Sequence, residues 1–368
     1  MVENRQYKYL IKPDQEQKKK IVRTFGAVRF LHNRYLDDFN SGKNQRRMGR
    51  DIVKDYKNQY SFLNQIDPSA LMNTIFQLQD RKTHLKKHKS RKDSHCSYTT
   101  SSLFKDRKIY IYDKFVHIPD LGDVIIVYHR PIPKGGIIRK ATVIRENDGK
   151  YYVSIAVEIE KIKVNKIINP EKSIGLDYSS PHFYVDNFGN KIDMPHFYRQ
   201  KEKKIAIEDK KLKRCSPGSN NYYKQKNRIA KLYKRSQNQR NDFLHKLSTQ
   251  LANEYDVICV EDLSMKEMSK KMGLGKSTYD NAYDKFLGML KYKLDERGKM
   301  LLYADRYFPS SKTCHICGCI NENLTLNDRV WICPSCGNTL DRDVNAAENI
   351  RQICLSRNFA VGYPVSAR

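Results

Sequence analysis

The pattern of hydrophobic and polar positions divides the first half of the chain into helices and strands. Residues 7–11 place Tyr7, Tyr9 and Ile11 on one side of an alternating stretch, which predicts a short strand. Apolar residues then recur every three or four positions over 21–39, which predicts an amphipathic helix. Two more helices are predicted, one over 50–60 and one beginning at Asp67-Pro68, a cap followed by a first-turn proline.

Residues 98–160 have a different pattern, with β-branched and aromatic runs that are typical of strands. Asn147-Asp148-Gly149 separates two such runs and predicts a hairpin turn. The simplest fold for these strands is a small antiparallel β-barrel that includes the strand at 7–11. The helical segment from 14 to about 95 is then an insertion into that barrel.

The second half of the chain alternates apolar strands with helices, which predicts an α/β domain. Two predicted strands, 173–178 and 256–263, each contain a continuous apolar run that is followed by an acid: Asp177 in the first and Glu261 in the second. The remaining predicted elements are a hairpin at 183–192, a basic helical stretch at 198–235 broken near 216–219, helices at 242–255 and 282–297, and a strand at 299–304. Residues 264–280 are predicted to form a mobile loop.

The charge of the chain indicates a polyanionic partner. Lys and Arg number 69 against 41 Asp and Glu, which gives a formal net charge of +28. Interleaved with the bases are 24 Tyr and 14 Phe, whose rings stack on nucleobases, so nucleic acid is a better partner than a membrane surface. No apolar run approaches the roughly 20 residues of a membrane-spanning helix. Met1–Arg5 lacks the apolar core of a signal peptide, so we expect a reducing cytoplasm.

One run of bases is especially dense and is a candidate for phosphate contact. Seven Lys and Arg residues lie within residues 81–92. The five nearest the C-terminal end of this run are Lys86, Lys87, Lys89, Arg91 and Lys92. A run of this kind is often only the solvated end of a helix. We interpret this one as a nucleic-acid contact because only Asp93 opposes it.

Four cysteines predict a structural zinc site. Cys314 and Cys317 form one Cys-x-x-Cys knuckle, and Cys333 and Cys336 form a second, fifteen residues further on. Each knuckle places two thiolates on one tight turn, so the four can close a tetrahedral Zn²⁺ site. Two disulfides are the alternative, but they need an oxidising compartment. Cys319 is interpreted as a bystander.

Three carboxylates are candidate ligands of a second type of metal ion. Asp177 and Glu261 lie near the ends of apolar strands, and Asp343 opens a short helix. A buried anion is costly unless a partner compensates it, and a shared divalent cation would do so. Ligand sets made only of oxygen favour Mg²⁺ or Mn²⁺, and a pair of such ions supports phosphodiester hydrolysis. Each acid alone could equally be an edge or capping residue, and Asp341 is the reserve for Asp343.

These motifs together resemble the TnpB family of transposon-encoded RNA-guided nucleases. The resemblance rests on Gly175-Leu176-Asp177-Tyr178, Val260-Glu261-Asp262-Leu263-Ser264, the four-cysteine ribbon and the stretch from Asp341 to Ile350. It implies an RNase H-like RuvC domain in which Asp177, Glu261 and Asp343 are the catalytic metal ligands. One departure is Tyr178-Ser179-Ser180-Pro181, where many members carry a small residue after the first acid.

The resemblance also implies an α+β multi-domain organisation. The expected domains are a β-barrel wedge domain (1–13 and 97–165), a helical recognition domain (14–96), a RuvC nuclease domain (166–305 and 341–368) and a zinc ribbon that binds target nucleic acid (306–340).

The expected function is guide-RNA-directed DNA cleavage beside a short transposon-associated motif. The expected partners are a guide RNA from the transposon end and target double-stranded DNA, bound by a monomer in the cytoplasm of a bacterium or archaeon, at the nucleoid. A guide-directed repressor without cleavage is the alternative; a strand-exchange transposase is disfavoured because no motif supplies its Tyr or Ser nucleophile.

Overall fold

A computed structural model describes the chain over 2–43, 47–80, 96–102, 108–160, 168–179, 182–264, 282–325 and 327–359. The chain divides into two compact units, Met1–Ile162 and Lys163–Arg368. The predicted phosphate-contacting residues Lys86, Lys87, Lys89, Arg91 and Lys92 lie outside the described residues, as does nearly all of the predicted loop at 264–280. No described helix is long and apolar enough to cross a membrane.

The first unit contains a seven-stranded antiparallel sheet. Its strands are β1 (Val2–Lys12), β2 (Ser97–Ser101), β3 (Tyr110–Tyr112), β4 (Phe115–Ile118), β5 (Gly122–Val127), β6 (Ile137–Arg145) and β7 (Tyr151–Glu160), in the order β2-β6-β7-β1-β5-β4-β3. The predicted first strand is confirmed and is longer than expected, because β1 pairs with β7 along almost its whole length. The hairpin at Asn147-Asp148-Gly149 is also confirmed: Gly149 takes a φ of 82° between β6 and β7. Closure of the sheet into a barrel stays a prediction.

The helices of the first unit lie between β1 and β2 in the chain, as the insertion hypothesis requires. They are α1 (Gln15–Asn40), α2 (Gly49–Gln59) and α3 (Pro68–Asp80), with a short 3₁₀ helix at Ser61–Gln65. Asp14 and Gln17 form a reciprocal capping box at the start of α1. Buried side chains of these helices and of the sheet, such as Leu31 and Val153, belong to one hydrophobic core.

The second unit contains a mixed five-stranded sheet. Its strands are β8 (Ser173–Asp177), β9 (Tyr184–Asp186), β10 (Lys191–Ile192), β11 (Val257–Glu261) and β12 (Met300–Ala304), in the order β10-β9-β8-β11-β12. The three strands β8, β11 and β12 are parallel, whereas β9 and β10 run antiparallel to their neighbours. Parallel strands that are covered on both faces have continuous apolar sequences, because the side chains on both faces are buried. This is why β8 and β11 could be recognised from the sequence.

Helices cover both faces of this sheet. The described helices of this unit are α4 (Arg199–Lys213), α5 (Asn220–Glu254), α6 (Tyr283–Glu296) and α7 (Arg342–Phe359), and the last three supply the side chains that pack on the sheet. Residues of α5 and α6, among them Leu244 and Phe286, form one core with Ile174 and Val260. Ile350 and Cys354 of α7 pack on the other face, against Val257 and Cys259.

Helix α5 corrects one prediction. The sequence predicted a break between residues 235 and 242, but α5 is a single helix of 35 residues. The six polar residues at 236–241 contain no Gly or Pro, so nothing in them stops a helix. Their first residue, Ser236, donates its hydroxyl to the carbonyls of Leu232 and Phe197 within the fold. The break near 216–219 is confirmed, and Ser219 caps α5.

The four-cysteine segment carries only a small sheet of its own. Strands β13 (Val330–Ile332) and β14 (Thr339–Asp341) pair antiparallel, and α7 begins at the residue after β14. A cluster of five buried side chains forms its core: Cys314, Leu324, Trp331, Cys333 and Leu340. So small a core implies that a bound metal ion would supply much of the segment's stability.

Candidate active site and metal centre

Two of the predicted acids lie at the same edge of the second sheet. Asp177 ends β8 and Glu261 ends β11. These strands are neighbours and parallel, with Leu176 paired to Val260, so the two acids follow at equivalent positions. The carboxyl ends of parallel strands are where α/β sheets present functional side chains. The sheet therefore brings Asp177 and Glu261 together.

Helix α7 brings the third acid to them by packing directly on β8. Gly175 makes this approach possible, because a β carbon there would lie 2.0 Å from the Ala347 carbonyl oxygen and 2.9 Å from Arg351 Cβ. The Arg351 guanidinium also donates to the Ser173 hydroxyl across 3.2 Å. Asp343 lies in the first turn of this helix. Its distance from Asp177 is therefore set by how closely α7 can lie on β8.

Electrostatics indicate that the three carboxylates influence one another. Burial raises the pKa of Asp177 well above its usual range, the charges of Glu261 and Asp343 raise it further, and Arg342 opposes the shift. Burial also raises the pKa of Glu261, against a hydrogen bond from Ser310 that lowers it. A bound cation would stabilise such a group of acids, because burial removes the water that otherwise solvates their charges.

Asp343 is paired with two arginines. Arg329 Nη1 lies 3.2 Å from Asp343 Oδ2, and Arg342 Nη2 lies 3.4 Å from Oδ1. Pairing of β13 with β14 places Arg329 there, because its carbonyl accepts from the Arg342 amide. Both oxygens of the carboxylate therefore contact a cationic side chain.

Asp341, the reserve candidate, has a different role in the fold. Its Oδ1 accepts from the amides of Asp343 and Val344 at 3.0 and 3.1 Å, which caps the start of α7. Lys191 lies 3.6 Å from its other oxygen. This geometry favours Asp343 over Asp341 as the site acid.

The four cysteines converge. Their sulfurs all lie within 4.8 Å of one another, with 3.7 Å between Cys314 and Cys336 and 3.6 Å between Cys317 and Cys333. Hydrogen bonds from Asn338 lower the pKa of Cys336 to about 6, which favours its thiolate. Four thiolates at this spacing fit Zn²⁺. Cys319 is not part of the group, as predicted.

The carboxylates are spaced more widely than the cysteines. Among the described residues, only the cysteines form a group of three or more potential ligands whose atoms all lie within 4.8 Å. Asp343 instead pairs with Arg329 and Arg342. Their donor set, three carboxylates on a shared edge, still matches the oxygen ligands of Mg²⁺ and Mn²⁺.

Sequence reasoning missed several residues of the site. Ser310 donates its hydroxyl to Glu261 Oε1 at 2.9 Å, and the side-chain amides of Asn345 and Asn349 donate to the carbonyl of Thr313, the residue before the first knuckle. Tyr283 is 1% exposed and its ring lies in a tilted contact with Tyr178, and burial and the charges of the two strand acids raise its pKa. The two asparagines lie within the helix motif quoted above, and their i, i+4 spacing could have suggested a shared contact.

Comparison with protein families gives three matches along the chain. Residues 154–272 match OrfB of IS605, described as "Probable transposase", and residues 283–350 match the "Cas12f1-like, TNB domain". Residues 1–45 match a family described as "Helix-turn-helix domain". The described part of that segment contains β1 and the single helix α1, and not two helices.

Individual relatives and structures agree with these matches. A Streptomyces pristinaespiralis protein named "Putative RNA-guided DNA endonuclease" is 31% identical over 94% of this chain and 88% of its own length. The similarly named Escherichia coli protein InsQ is 29% identical over 64% of this chain and 61% of its own. A "TnpB-like protein" of a mimivirus is 30% identical over 34% of this chain.

A solved Cas12f1–sgRNA–target DNA complex has the same overall fold. It aligns with a TM-score of 0.58 at 15% identity, over 92% of this chain and 83% of the Cas12f1 chain. The extent of the match to the Streptomyces relative, with family matches that between them contain the three acids and the four cysteines, confirms the resemblance stated from the motifs. The chain belongs to the TnpB family.

Proposed function

We propose that this chain is an RNA-guided DNA endonuclease of an insertion-sequence transposon. The names of its relatives and the fold that it shares with Cas12f1 support this proposal. The single observation that carries the nuclease assignment is the placement of Asp177, Glu261 and Asp343 at one edge of the sheet. There the charges of Glu261 and Asp343 raise the pKa of Asp177.

The three acids are proposed to hold Mg²⁺ or Mn²⁺ as the catalytic residues. The fit rests on their chemistry, since all three are carboxylates and burial raises the pKa of Asp177 and of Glu261. When bound, the ions supply an activated water and stabilise the leaving oxygen in phosphodiester hydrolysis. The chain itself orients two acids from parallel strands and one from a helix start.

The finer description of the fold is part of the proposal. A five-stranded sheet with three parallel and two antiparallel strands, and helices on both faces, supports an RNase H-like RuvC domain. That domain would comprise 166–305 and 341–368, with the zinc ribbon at 306–340 holding one Zn²⁺ per chain. The antiparallel sheet would be the wedge domain, 1–13 and 97–165, and the helices between its strands the recognition domain, 14–96.

Nucleic acids are the proposed partners. A guide RNA from the transposon end would pair with one strand of double-stranded DNA, and the protein would read a short adjacent motif. The excess of 69 bases over 41 acids suits the two phosphate backbones, whose neutralisation makes binding depend steeply on salt. The run Lys86, Lys87, Lys89, Arg91 and Lys92 remains a proposed contact. A monomer with its RNA is the proposed active form.

A guide-directed repressor without cleavage is the competing function. Loss of a site acid would favour it, but all three are present. It predicts DNA binding with no cutting under any divalent ion.

The proposal is tested by reprogramming. The protein is purified at moderate salt, the RNA that copurifies is sequenced, and its guide segment is replaced by a new sequence. Cleavage of a plasmid that matches the new guide, and not of one that matches the old guide, is expected. A complex without RNA, or cutting that ignores the guide, contradicts the proposal.

A further inference from the structure

Helix α7 is linked to the carboxylate site by more than Asp343. We propose that Ser310 is a positioning residue for Glu261, and that Asn345 and Asn349 of α7 hold Ser310 in place. The inference rests on the proposed function, because positioning matters only if Glu261 is a site acid.

The first step is the contact between Ser310 and Glu261. Ser310 is 5% exposed, and its hydroxyl donates to Glu261 Oε1 at 2.9 Å. Within the described part of the chain, it is the one side-chain hydrogen bond that the Glu261 carboxylate receives. One oxygen of Glu261 is thereby fixed.

The second step is how Ser310 itself is held. Its carbonyl accepts from Asn349 Nδ2 at 2.8 Å and from Asn345 Nδ2 at 3.4 Å. The same two amides donate to the Thr313 carbonyl, at 2.6 and 2.7 Å. The turn from Ser310 to Thr313 is therefore attached at both ends to one face of α7.

The buried position of the two asparagines makes this attachment rigid. Asn345 is 1% exposed and Asn349 is fully buried. A buried amide that lost its partner would remain unsatisfied, because water cannot replace the bond. Asn345 Oδ1 also accepts from the backbone amide and Nδ1 of His315, inside the first cysteine knuckle. The knuckle, the turn and α7 therefore move as one piece.

Helix α7 is therefore the element that positions all three acids relative to one another. Asp343 is in the first turn of α7. Asp177 lies two residues after Gly175, against which α7 packs, and Glu261 is connected to α7 through Ser310. Preorganised ligands of this kind depend on residues behind them, whose loss typically lowers metal affinity or activity about 10- to 100-fold.

The test compares two neighbouring serines. Ser310→Ala removes the hydroxyl, Ser310→Thr retains it, and Ser311→Ala is the matched control, since no hydrogen bond of the Ser311 side chain occurs in the described structure. The full protein–RNA complex is used. The readouts are Mn²⁺ affinity by electron paramagnetic resonance without DNA, cleavage rate at saturating matched DNA, DNA affinity and the unfolding temperature.

We expect Ser310→Ala to weaken Mn²⁺ binding and slow cleavage by about 10-fold or more. DNA affinity and the unfolding temperature should match those of Ser311→Ala, and Ser310→Thr should recover most of the loss. Equal Mn²⁺ affinity and cleavage in Ser310→Ala and Ser311→Ala would overturn the inference. A parallel loss of DNA affinity and unfolding temperature would also overturn it, since Ser310 would then support only the fold.

The Mn²⁺ readout separates this inference from the proposed function. If the wild-type complex cleaves no DNA but Ser310→Ala still weakens its Mn²⁺ binding, the proposed function fails and the positioning role stands. If wild-type cleavage is guide-directed and Ser310→Ala equals the control, only the positioning role fails.

Discussion

A β carbon on Gly175 would lie 2.0 Å from the carbonyl oxygen of Ala347. Real β carbons do not approach backbone atoms so closely, so β8 and α7 can lie at their observed spacing only because residue 175 is glycine. Since Asp177 is two residues further along β8 and Asp343 begins α7, this contact sets the spacing of two site acids.

Gly175→Ala should therefore separate α7 from the sheet. Forcing a methyl group into this contact should lower the free energy of unfolding by about 1–3 kcal/mol, and cleavage should fall more than DNA binding. Gly288→Ala is the control, because no atom lies within 4 Å of its added β carbon and alanine favours a helix interior by about 1 kcal/mol. Denaturant titration checks both. A Gly175→Ala protein with wild-type stability and activity would contradict this role of α7.

Replacing any of the four cysteine ligands should cause the loss of zinc, whereas replacing Cys319 should not. Cys336→Ser should bind less than one equivalent and loosen the segment before Asp343, because the five-residue core of the ribbon cannot replace the metal. Cys319→Ser should keep one zinc per chain. Elemental analysis and hydrogen exchange measure the two effects. A folded wild-type ribbon without metal would contradict the zinc assignment.

Arg329 should compete with a divalent cation for Asp343. The two side chains form an ion pair at 3.2 Å, and the Arg329 side chain is 54% exposed. Pairs this exposed contribute about 0.2–1 kcal/mol, so Arg329→Gln should lower the half-saturating Mg²⁺ concentration by about 1.4- to 5-fold. Arg306→Gln, which removes a guanidinium paired with Asp262 instead, is the control. An unchanged or higher Mg²⁺ requirement in Arg329→Gln would contradict competition.

Lys293 should make the stability of the second unit depend on pH. It is buried between α5 and α6 and donates to the His245 carbonyl and the hydroxyls of Ser248 and Thr249, each at 2.7 Å. Burial lowers its pKa from 10.5 to about 8. Between these values the unfolded chain binds a proton that the folded chain does not, so this lysine adds stability as pH rises above 8.

The measurement is unfolding of wild type and Lys293→Met from pH 7 to pH 10. The stability of wild type relative to the variant should increase over this range, and the gain should disappear as the pH falls through 8. The exposed Lys291→Met is the control. A difference between wild type and Lys293→Met that is independent of pH would contradict the burial of this charge.

The parts of the fold that could be predicted from the sequence are those that depend on local patterns of residues. The apolar runs of β8 and β11, the hairpin turn at Gly149 and the spacing of the cysteines each depend on a few neighbouring residues. The candidate acids were found in the same way, because an acid at the end of an apolar strand is conspicuous.

The parts that could not be predicted depend on contacts between distant segments. The hydroxyl of Ser310 reaches Glu261, 49 positions earlier in the chain, and Gly175 contacts a helix that begins at Arg342. Nothing in the local sequence marks either contact. The continuity of α5 was missed for the opposite reason: a polar stretch at 236–241 looked like a linker, although only tertiary packing distinguishes a polar helix from a loop.

Asp177, Glu261 and Asp343 together form the proposed cleavage site. Each is changed to Ala and assayed, with its guide RNA, on matched and mismatched duplex DNA beside wild type and Asp341→Ala. Cleavage should be abolished in the three variants by loss of a metal ligand, while guide-directed DNA binding survives. Asp341→Ala should cleave, at a rate reduced by the loss of the cap on α7.

The most direct single measurement is the cleavage rate of Asp343→Ala against that of Asp341→Ala in Mg²⁺, with DNA binding measured on the same samples. We expect no cutting by Asp343→Ala, continued cutting by Asp341→Ala, and equal DNA binding by both. Cutting that persists in Asp343→Ala and disappears in Asp341→Ala would contradict it.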